Sequence, residues 1–281
     1  MIDLHVHSTF SDGSDTPEAL AAAAGRLGLR AIALTDHDNA NGVPAFLDAC
    51  RRHGVTGIGG VEISAEVPSG TLHILGYGIA PAHAELRESL DRILDSRDWR
   101  NHEILKRLQA LGFALAWEEV AAFAGEDVVG RPHFARAMIA RGYVRDSQDA
   151  FDRFLAKGQP AYVDRFRLAP EDGVRLIRAA GGVPVLAHPF TWIGELAALE
   201  SALAGLHAHG LAGIEAYYPE HSAEQTVAYL RLARKLGLLV TGGTDYHGAV
   251  NPQIRLGTGF GGFEVPDAVL EPLWKAMGRF P

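Results

Sequence analysis

The chain has 281 residues, 47% of them hydrophobic and 21% charged. That is ordinary globular composition, with apolar surface enough for a sizeable core, and it excludes wholesale disorder. Lys and Arg number 26 against 34 Asp and Glu, a formal charge of −8, which argues against a broad basic face for duplex DNA but leaves room for a small nucleotide held locally.

A lone cysteine, Cys50, excludes a disulfide framework and a cysteine-based zinc finger. No apolar run approaches the roughly 18 residues of a membrane span. The opening MIDLHVHS lacks the basic and apolar regions of a signal peptide. A cytoplasmic protein with no membrane partner is the expectation.

Short apolar or β-branched runs predict buried strands at Ile2–Val6, Arg30–Thr35, Thr56–Ile63, Leu72–Ile79, Gly182–Ala187, Gly213–Tyr217 and Leu238–Thr241. Helical patterns fall between most of them. Thr16 is placed to cap a helix with Pro17 at its first position, running to Leu27 with Gly28 as the stop. Val43–Arg52, Pro170–Ala180, Gly194–Ala208 and Ser222–Leu236 repeat the pattern. Strand alternating with helix predicts an α/β fold around a parallel sheet, open or closed into a barrel.

Two stretches break that rhythm. Only ISAEVPSGTL separates Glu62 from His73, with Pro68-Ser69-Gly70 as a turn, so the third and fourth strands are expected to be antiparallel neighbours. From about Pro81 to Arg167 the chain reads as helix throughout, at Leu86–Leu111, Trp117–Ala124, Pro132–Arg141 and Ser147–Lys157. Residues 100–165 are expected to form a small all-helical domain inserted into an α/β body made of residues 1–99 and 166–281.

The 13 histidines carry the chemistry. His5 and His7 lie two apart on a predicted strand, where both imidazoles face the same way and can reach one ion. His207 and His209 have the same spacing on a predicted helix, where they diverge, and are expected to face solvent. Asp12 follows the first strand, His37 and Glu62 end the second and third, His188 ends the fifth, and Asp245 and His247 end the last. Functional groups of parallel α/β folds collect at those strand ends. His73 begins its strand, but an antiparallel strand starts where its predecessor ends. Six imidazoles and three carboxylates without a thiolate suit manganese, zinc or iron, and nine ligands are too many for one ion.

His5-Val6-His7-Ser8, Ser11-Asp12-Gly13, Thr35-Asp36-His37-Asp38, Gly60-Val61-Glu62, His73-Ile74-Leu75-Gly76, Ala187-His188-Pro189 and Gly243-Thr244-Asp245-Tyr246-His247 resemble, in order, the motifs of the PHP (polymerase and histidinol phosphatase) superfamily. The resemblance implies a distorted (β/α)7 TIM-like barrel with a trinuclear site of divalent ions, manganese first, with zinc and iron as alternatives. It gives one ion to His5, His7, Glu62 and Asp245, a second to Glu62, His73 and His188, and the third to Asp12, His37 and His247. Gly130-Arg131-Pro132-His133 and Lys157-Gly158-Gln159-Pro160-Ala161-Tyr162 resemble stretches of the stand-alone nucleotide phosphoesterases. Those remove the 3′-phosphate of nucleoside 3′,5′-bisphosphates, and some are 5′→3′ exoribonucleases on short RNA.

The reaction expected is hydrolysis of a phosphate ester by in-line attack of a metal-bound hydroxide, with Arg131 and His133 on a substrate phosphate and His221 beside the site. Histidinol-phosphate phosphatase shares the metal chemistry and is the nearest rival. An amidohydrolase also begins with a His-x-His strand, but its bridging lysine is not evident here. A non-catalytic metal-binding module would lack some of the nine ligands.

Overall fold

The computed structural model describes residues 1–124 and 129–278. The chain divides into two compact units, Met1–Leu90 with Arg167–Pro281, and Asp91–Phe166.

The first unit is mixed α/β, built on one curled sheet of seven strands in the order of the sequence: β1 (Ile2–Val6), β2 (Ala31–Leu34), β3 (Thr56–Ala65), β4 (Leu72–Tyr77), β5 (Val183–Leu186), β6 (Gly213–Tyr217) and β7 (Leu239–Gly242). All neighbours are parallel except β4, which runs antiparallel to β3 and to β5, as the short Pro-Ser-Gly connection requires. The outer strands are tied to each other, Asp245 N–H donating to His5 O at 2.9 Å and His7 N–H to Tyr246 O at 2.9 Å. β2 shows how strands buried on both faces are read: Ala31 and Ala33 join one core with Leu4, Leu75, Tyr77 and Val185, whereas Ile32 and Leu34 join another with Leu20 and Phe46.

The helices start and stop where local chemistry dictates. α1 (Pro17–Leu27) is capped by Thr16 Oγ1, which accepts from Ala19 N–H at 3.2 Å, and ends on Gly28 at φ 68°. α2 (Val43–His53) follows β2 and packs with α1 on the second core.

β3 runs two residues beyond its predicted end, to Ala65, because β4 pairs with it as far as Ala65–Leu72. Glu62 therefore sits inside a strand rather than at its end.

α3 (Ala84–Ala110) crosses the division between the units. The second unit continues with α4 (Trp117–Ala124), α5 (Arg131–Ala140), α6 (Ser147–Ala150) and a π-helical turn at Phe151–Leu155. It has its own core, including Ile104, Leu108, Val120, Phe134, Met138 and Leu155. A single helix was expected over Ser147–Lys157. Instead the Phe154 carbonyl is taken by Ala161 N–H at 3.0 Å and Gly158 turns left-handed at φ 88°, which stops regular winding.

Beyond these lie α7 (Pro170–Ala179), α8 (Leu196–Ala208), α9 (Ala223–Leu236) and α10 (Leu270–Ala276) in the first unit. His207 and His209 at the end of α8 are both exposed. Among the described residues no helix is long and apolar enough to cross a membrane. Truncating Phe134, which is fully buried in the helical core, is expected to destabilise the protein by about 3–5 kcal/mol in denaturant unfolding.

Candidate metal centre

Six of the seven strands deliver a candidate side chain to one place. His5 lies on β1 with His7 one residue beyond it, His37 follows β2, Glu62 and His73 lie on β3 and β4, and His188 and Asp245 follow β5 and β7. The antiparallel β4 presents His73 opposite Ser64, two residues past Glu62.

Glu62 stands at the centre with its side chain fully buried. Its Oε2 lies 2.9 Å from His37 Nδ1 and 3.3 Å from both His5 Nε2 and His7 Nε2. Its Oε1 lies 2.9 Å from His73 Nδ1 and 3.0 Å from His188 Nε2. Asp245 Oδ1 is 3.0 Å from His7 Nε2 and 3.3 Å from His5 Nε2. Asp12 faces His247 Nε2 at 3.2 Å, His7 Nδ1 at 3.5 Å and His37 Nε2 at 3.6 Å. All nine predicted residues thus belong to one connected cluster.

Three sets of these atoms lie within 4.8 Å of one another and can each hold a metal ion: His5, His7, Glu62 and Asp245; His7, Asp12, His37 and His247; and His37, Glu62 and His73. The first is the set the family resemblance gives to one ion. His7 belongs to the first and second sets and His37 to the second and third, so each comes close enough to be shared, and His188 is joined through Glu62 Oε1. Ligands bound at about 2.0–2.2 Å lie no more than about 4.4 Å apart, which these sets approach.

The residues fit a cation on a second count. His5 Nε2, His7 Nε2, Asp12 Oδ1, His37 Nδ1, Glu62 Oε2, His73 Nδ1 and Asp245 Oδ1 are buried without a hydrogen-bond partner. Buried polar atoms are rarely left so, and these are the atoms a bound cation would satisfy.

Electrostatics follow from this crowding. Burial by itself would raise the Glu62 carboxyl, but the charges of His37, His73 and His5 and the His188 hydrogen bond hold it well below the usual range. Burial by itself would lower His7, but its close approach to the Asp245 and Glu62 carboxylates, with the Asp12 charge nearby, holds it at about 10. His73 goes the other way: burial, with His37 and His188 nearby, outweighs Glu62 and lowers it.

Several polar groups that sequence reasoning missed surround the cluster. Asp3 accepts Thr244 N–H at 2.8 Å and Thr244 Oγ1–H at 2.6 Å. Asp36 accepts the same pair of donors from Ser8, each at 2.7 Å. Asp38 accepts them from Ser64 at 2.8 and 2.9 Å. Glu215 contacts His5 and His188, and Tyr218 donates to Asp245 Oδ2 at 2.9 Å. The available signal was a lone acid within an apolar strand, as in IDLHV and GIEAY, since full burial of an acid demands a partner.

The remaining predicted residues are placed as follows. His221 donates from Nδ1 to Ala216 O at 3.0 Å, leaving Nε2 a bare buried acceptor among Phe190, Tyr218 and Tyr229. Burial lowers its basicity. In the helical unit, Arg131 lies 5.8 Å from the Phe151 ring and 5.5 Å from the Tyr162 ring, and donates to Leu155 O at 3.3 Å. His133 Nδ1 accepts Gly130 N–H at 2.9 Å and so caps α5.

The backbone is strained where the cluster forms. Among the described residues, the non-glycine residues with positive φ are Asp38 at 51°, His188 at 20° and Asp245 at 55°. Such conformations cost about 1–3 kcal/mol each and persist only where surroundings impose them. Gly243 is required by close approach: a Cβ there would fall on the backbone N and Cβ of His5.

A family model described as PHP domain matches residues 3–116. The chain is 31% identical to the 3′,5′-nucleoside bisphosphate phosphatase of Chromobacterium violaceum, covering 98% of this chain and 96% of that protein. The chain belongs to the PHP family. It is also 33% identical to the 5′-3′ exoribonuclease Rnm of Salmonella typhimurium (91% and 87% covered). It is 35% identical to the phosphoribosyl 1,2-cyclic phosphate 1,2-diphosphodiesterase of Eggerthella lenta (88% and 94%). A crystal structure of a candidate metal-dependent phosphoesterase from Bifidobacterium adolescentis superimposes with a TM-score of 0.82 at 28% identity, covering 98% of this chain and 96% of that one. The PHP match takes in Glu62 and five of its neighbours in the cluster; His188, Asp245 and His247 lie beyond it, within the full-length alignments.

In this PHP chain, a His7 held at about 10 is protonated at neutral pH when no metal is bound, so an ion must displace its proton. Metal affinity is therefore expected to rise between about pH 6 and pH 9, with proton release visible by calorimetry in buffers of different ionisation enthalpy. Without metal the sign reverses. The raised His7 stabilises the fold fully below its ordinary value of 6.5, and that contribution is lost as pH climbs through about 10, so the metal-free melting temperature should fall across the alkaline range. Gly243→Ala should cost about 1–3 kcal/mol of stability by overpacking and lower metal content, measured by thermal unfolding and elemental analysis.

Proposed function

We propose that this chain is a metal-dependent phosphoesterase that removes the 3′-phosphate of nucleoside 3′,5′-bisphosphates and also degrades short RNA in the 5′→3′ direction. The observation that carries this is the Glu62-centred cluster of six imidazoles and three carboxylates, in a chain alignable almost end to end with a bisphosphate phosphatase. The three relatives differ in substrate, but each is named for breaking a phosphate ester of a nucleotide or ribose.

The curled sheet is read as the distorted (β/α)7 barrel of the family, and the helical unit as an inserted substrate-binding domain. Three divalent ions, manganese first, would be held by His5, His7, Glu62 and Asp245, by Glu62, His73 and His188, and by Asp12, His37 and His247. Such ions supply Lewis acidity and lower the pKa of bound water.

The protein's own groups do the rest. The ligating carboxylates number fewer than the charges of three divalent ions, so the loaded site is positive and selects an anion although the chain is acidic overall. Arg131, its guanidinium steadied by Phe151 and Tyr162, is assigned to a substrate phosphate, with His133 beside it on the first turn of α5. His221, with Nδ1 donating to Ala216, offers Nε2 as its basic atom next to Tyr218. A cytoplasmic setting accords with one cysteine and no disulfide.

The test is phosphate release with added manganese from a nucleoside 3′,5′-bisphosphate, a short 5′-phosphorylated RNA and histidinol phosphate. The bisphosphate should dominate; dominant histidinol phosphate hydrolysis would replace the substrate while keeping the chemistry. His7→Ala and Asp245→Ala should each lose at least about 100-fold, since even partners of ligands are typically worth about 10–100-fold. Near wild-type activity and metal content in either would overturn the assignment.

A further inference from the structure

β6 is the strand of the sheet that brings no candidate ligand, yet its acid reaches the cluster. Glu215 is fully buried in GIEAY. Its Oε2 accepts the backbone N–H of His188 at 2.9 Å, and its Oε1 pairs with His5 Nδ1 at 3.0 Å. A carboxylate can only accept, so this pairing places the proton of His5 on Nδ1. His5 Nε2 is then the nitrogen left to ligate, once its proton is displaced, in the space it shares with Glu62 Oε2 and Asp245 Oδ1, each 3.3 Å away. With the ring in the opposite tautomer, Nε2 would carry a hydrogen and could not ligate an ion.

Three residues further on, Tyr218 performs the matching task for Asp245. Its hydroxyl donates to Oδ2 at 2.9 Å and so leaves Oδ1 facing His5 and His7. The two constraints meet on one set of atoms, His5, His7, Glu62 and Asp245. Glu215 also anchors the amide of His188, whose φ of 20° needs an external restraint.

We propose that Glu215 and Tyr218 are positioning residues for the metal cluster: Glu215 fixes the tautomer and ring plane of His5 and the backbone of His188, and Tyr218 fixes the rotation of the Asp245 carboxylate. This rests on reading the cluster as a metal site. It does not depend on which phosphate ester is cleaved.

The experiment is a Mn2+ titration of the full-length wild type, Glu215→Gln and Tyr218→Phe, with free Mn2+ read by electron paramagnetic resonance. In Glu215→Gln the amide cannot accept from both N–H groups. The class of Mn2+ held by His5 and Asp245 should weaken by about 10–100-fold, the class held by His188 should weaken less, and the class held by Asp12, His37 and His247 should bind as in the wild type. Tyr218→Phe should weaken only the class held by His5 and Asp245, by about tenfold or less. In both variants kcat at low Mn2+ should fall with KM little changed, and excess Mn2+ should restore it. Imidazole nitrogen spectra of the wild type loaded with diamagnetic Zn2+ should show His5 protonated on Nδ1 and bound through Nε2, and Glu215→Gln should lose that preference.

Unchanged Mn2+ affinity in both variants would overturn the proposal, as would an unchanged His5 tautomer in Glu215→Gln. So would a lowered melting temperature with activity that excess Mn2+ does not restore, because that is the signature of a merely structural role. Wild-type phosphate release measured alongside tests the substrate separately: its absence, with Mn2+ affinities divided as described, removes the substrate and supports the positioning roles.

Discussion

The rest of the site depends on one buried carboxylate. Glu62 is fully removed from solvent with five imidazole nitrogens between 2.9 and 3.3 Å from its two oxygens. Taking such a group out of water costs several kcal/mol even after relaxation, so it must be surrounded by cationic partners or by metal. The sheet holds it rigidly for that purpose. Its amide donates to Asp36 O at 3.0 Å, its carbonyl accepts Asp38 N–H at 2.8 Å, and on the other side it pairs in register with Leu75 of β4. Glu62 is thus fixed from both neighbouring strands before any ligand engages it, and four strands or their ends then point five imidazoles at it.

Around Glu62 the same device recurs three times. Asp3, Asp36 and Asp38 each accept both the backbone N–H and the hydroxyl of one Ser or Thr on an adjacent segment. Asp3 ties β1 to the segment after β7, Asp36 ties the end of β2 to the segment after β1, and Asp38 ties it to β3. Each carboxylate leaves few unsatisfied lone pairs, which lets it be buried. Burial still pushes Asp3 up to about 6, against the hydrogen bonds from Thr244, Gly257 and His5. The ties set the strand ends at fixed distances and hold Asp38 and Asp245 in left-handed conformations that an unrestrained chain would leave. Strain at the rim is balanced by hydrogen bonds just behind it.

Much of this was legible in the sequence because it rests on local rules. Periodicity located the strands, Thr16, Pro17 and Gly28 bounded α1, and a turn too short for a crossover predicted the reversal of β4, hence the arrival of His73 beside Glu62. His5 and His7 could be told from His207 and His209 by strand against helix spacing alone. What was hidden is non-local. Glu215 reads as one polar residue in a short strand, and only the fold reveals that His5, 210 residues away, is its partner. Asp36 and Asp38 flank a candidate ligand and look like ligands themselves, but their hydrogen bonds to Ser8 and Ser64 make them ties. The continuation of β3 to Ala65 and the π-helical turn at Phe151–Leu155 were invisible for a related reason, since each is decided by the partner of a backbone group rather than by propensity.

The distances and the proton affinities together describe one balance. Without metal, the negative charge of Glu62, Asp12 and Asp245 is answered by protons on neighbouring imidazoles, which is why His5 and His7 rise while the carboxyls fall. With metal, cations take the place of those protons at the same atoms. The fold therefore needs no large rearrangement to accept ions: it needs only to lose protons, with Glu62, Asp36 and Asp38 already fixed in the sheet. Because the ligands come from nearly the whole length of the chain, an ion binds the folded state far better than the unfolded one, and its binding free energy becomes folding free energy. The acidic character of the chain does not oppose phosphate binding. A site in which metal cations replace those protons would be positive, and an anionic ester would meet that charge in a low-dielectric surround that strengthens it.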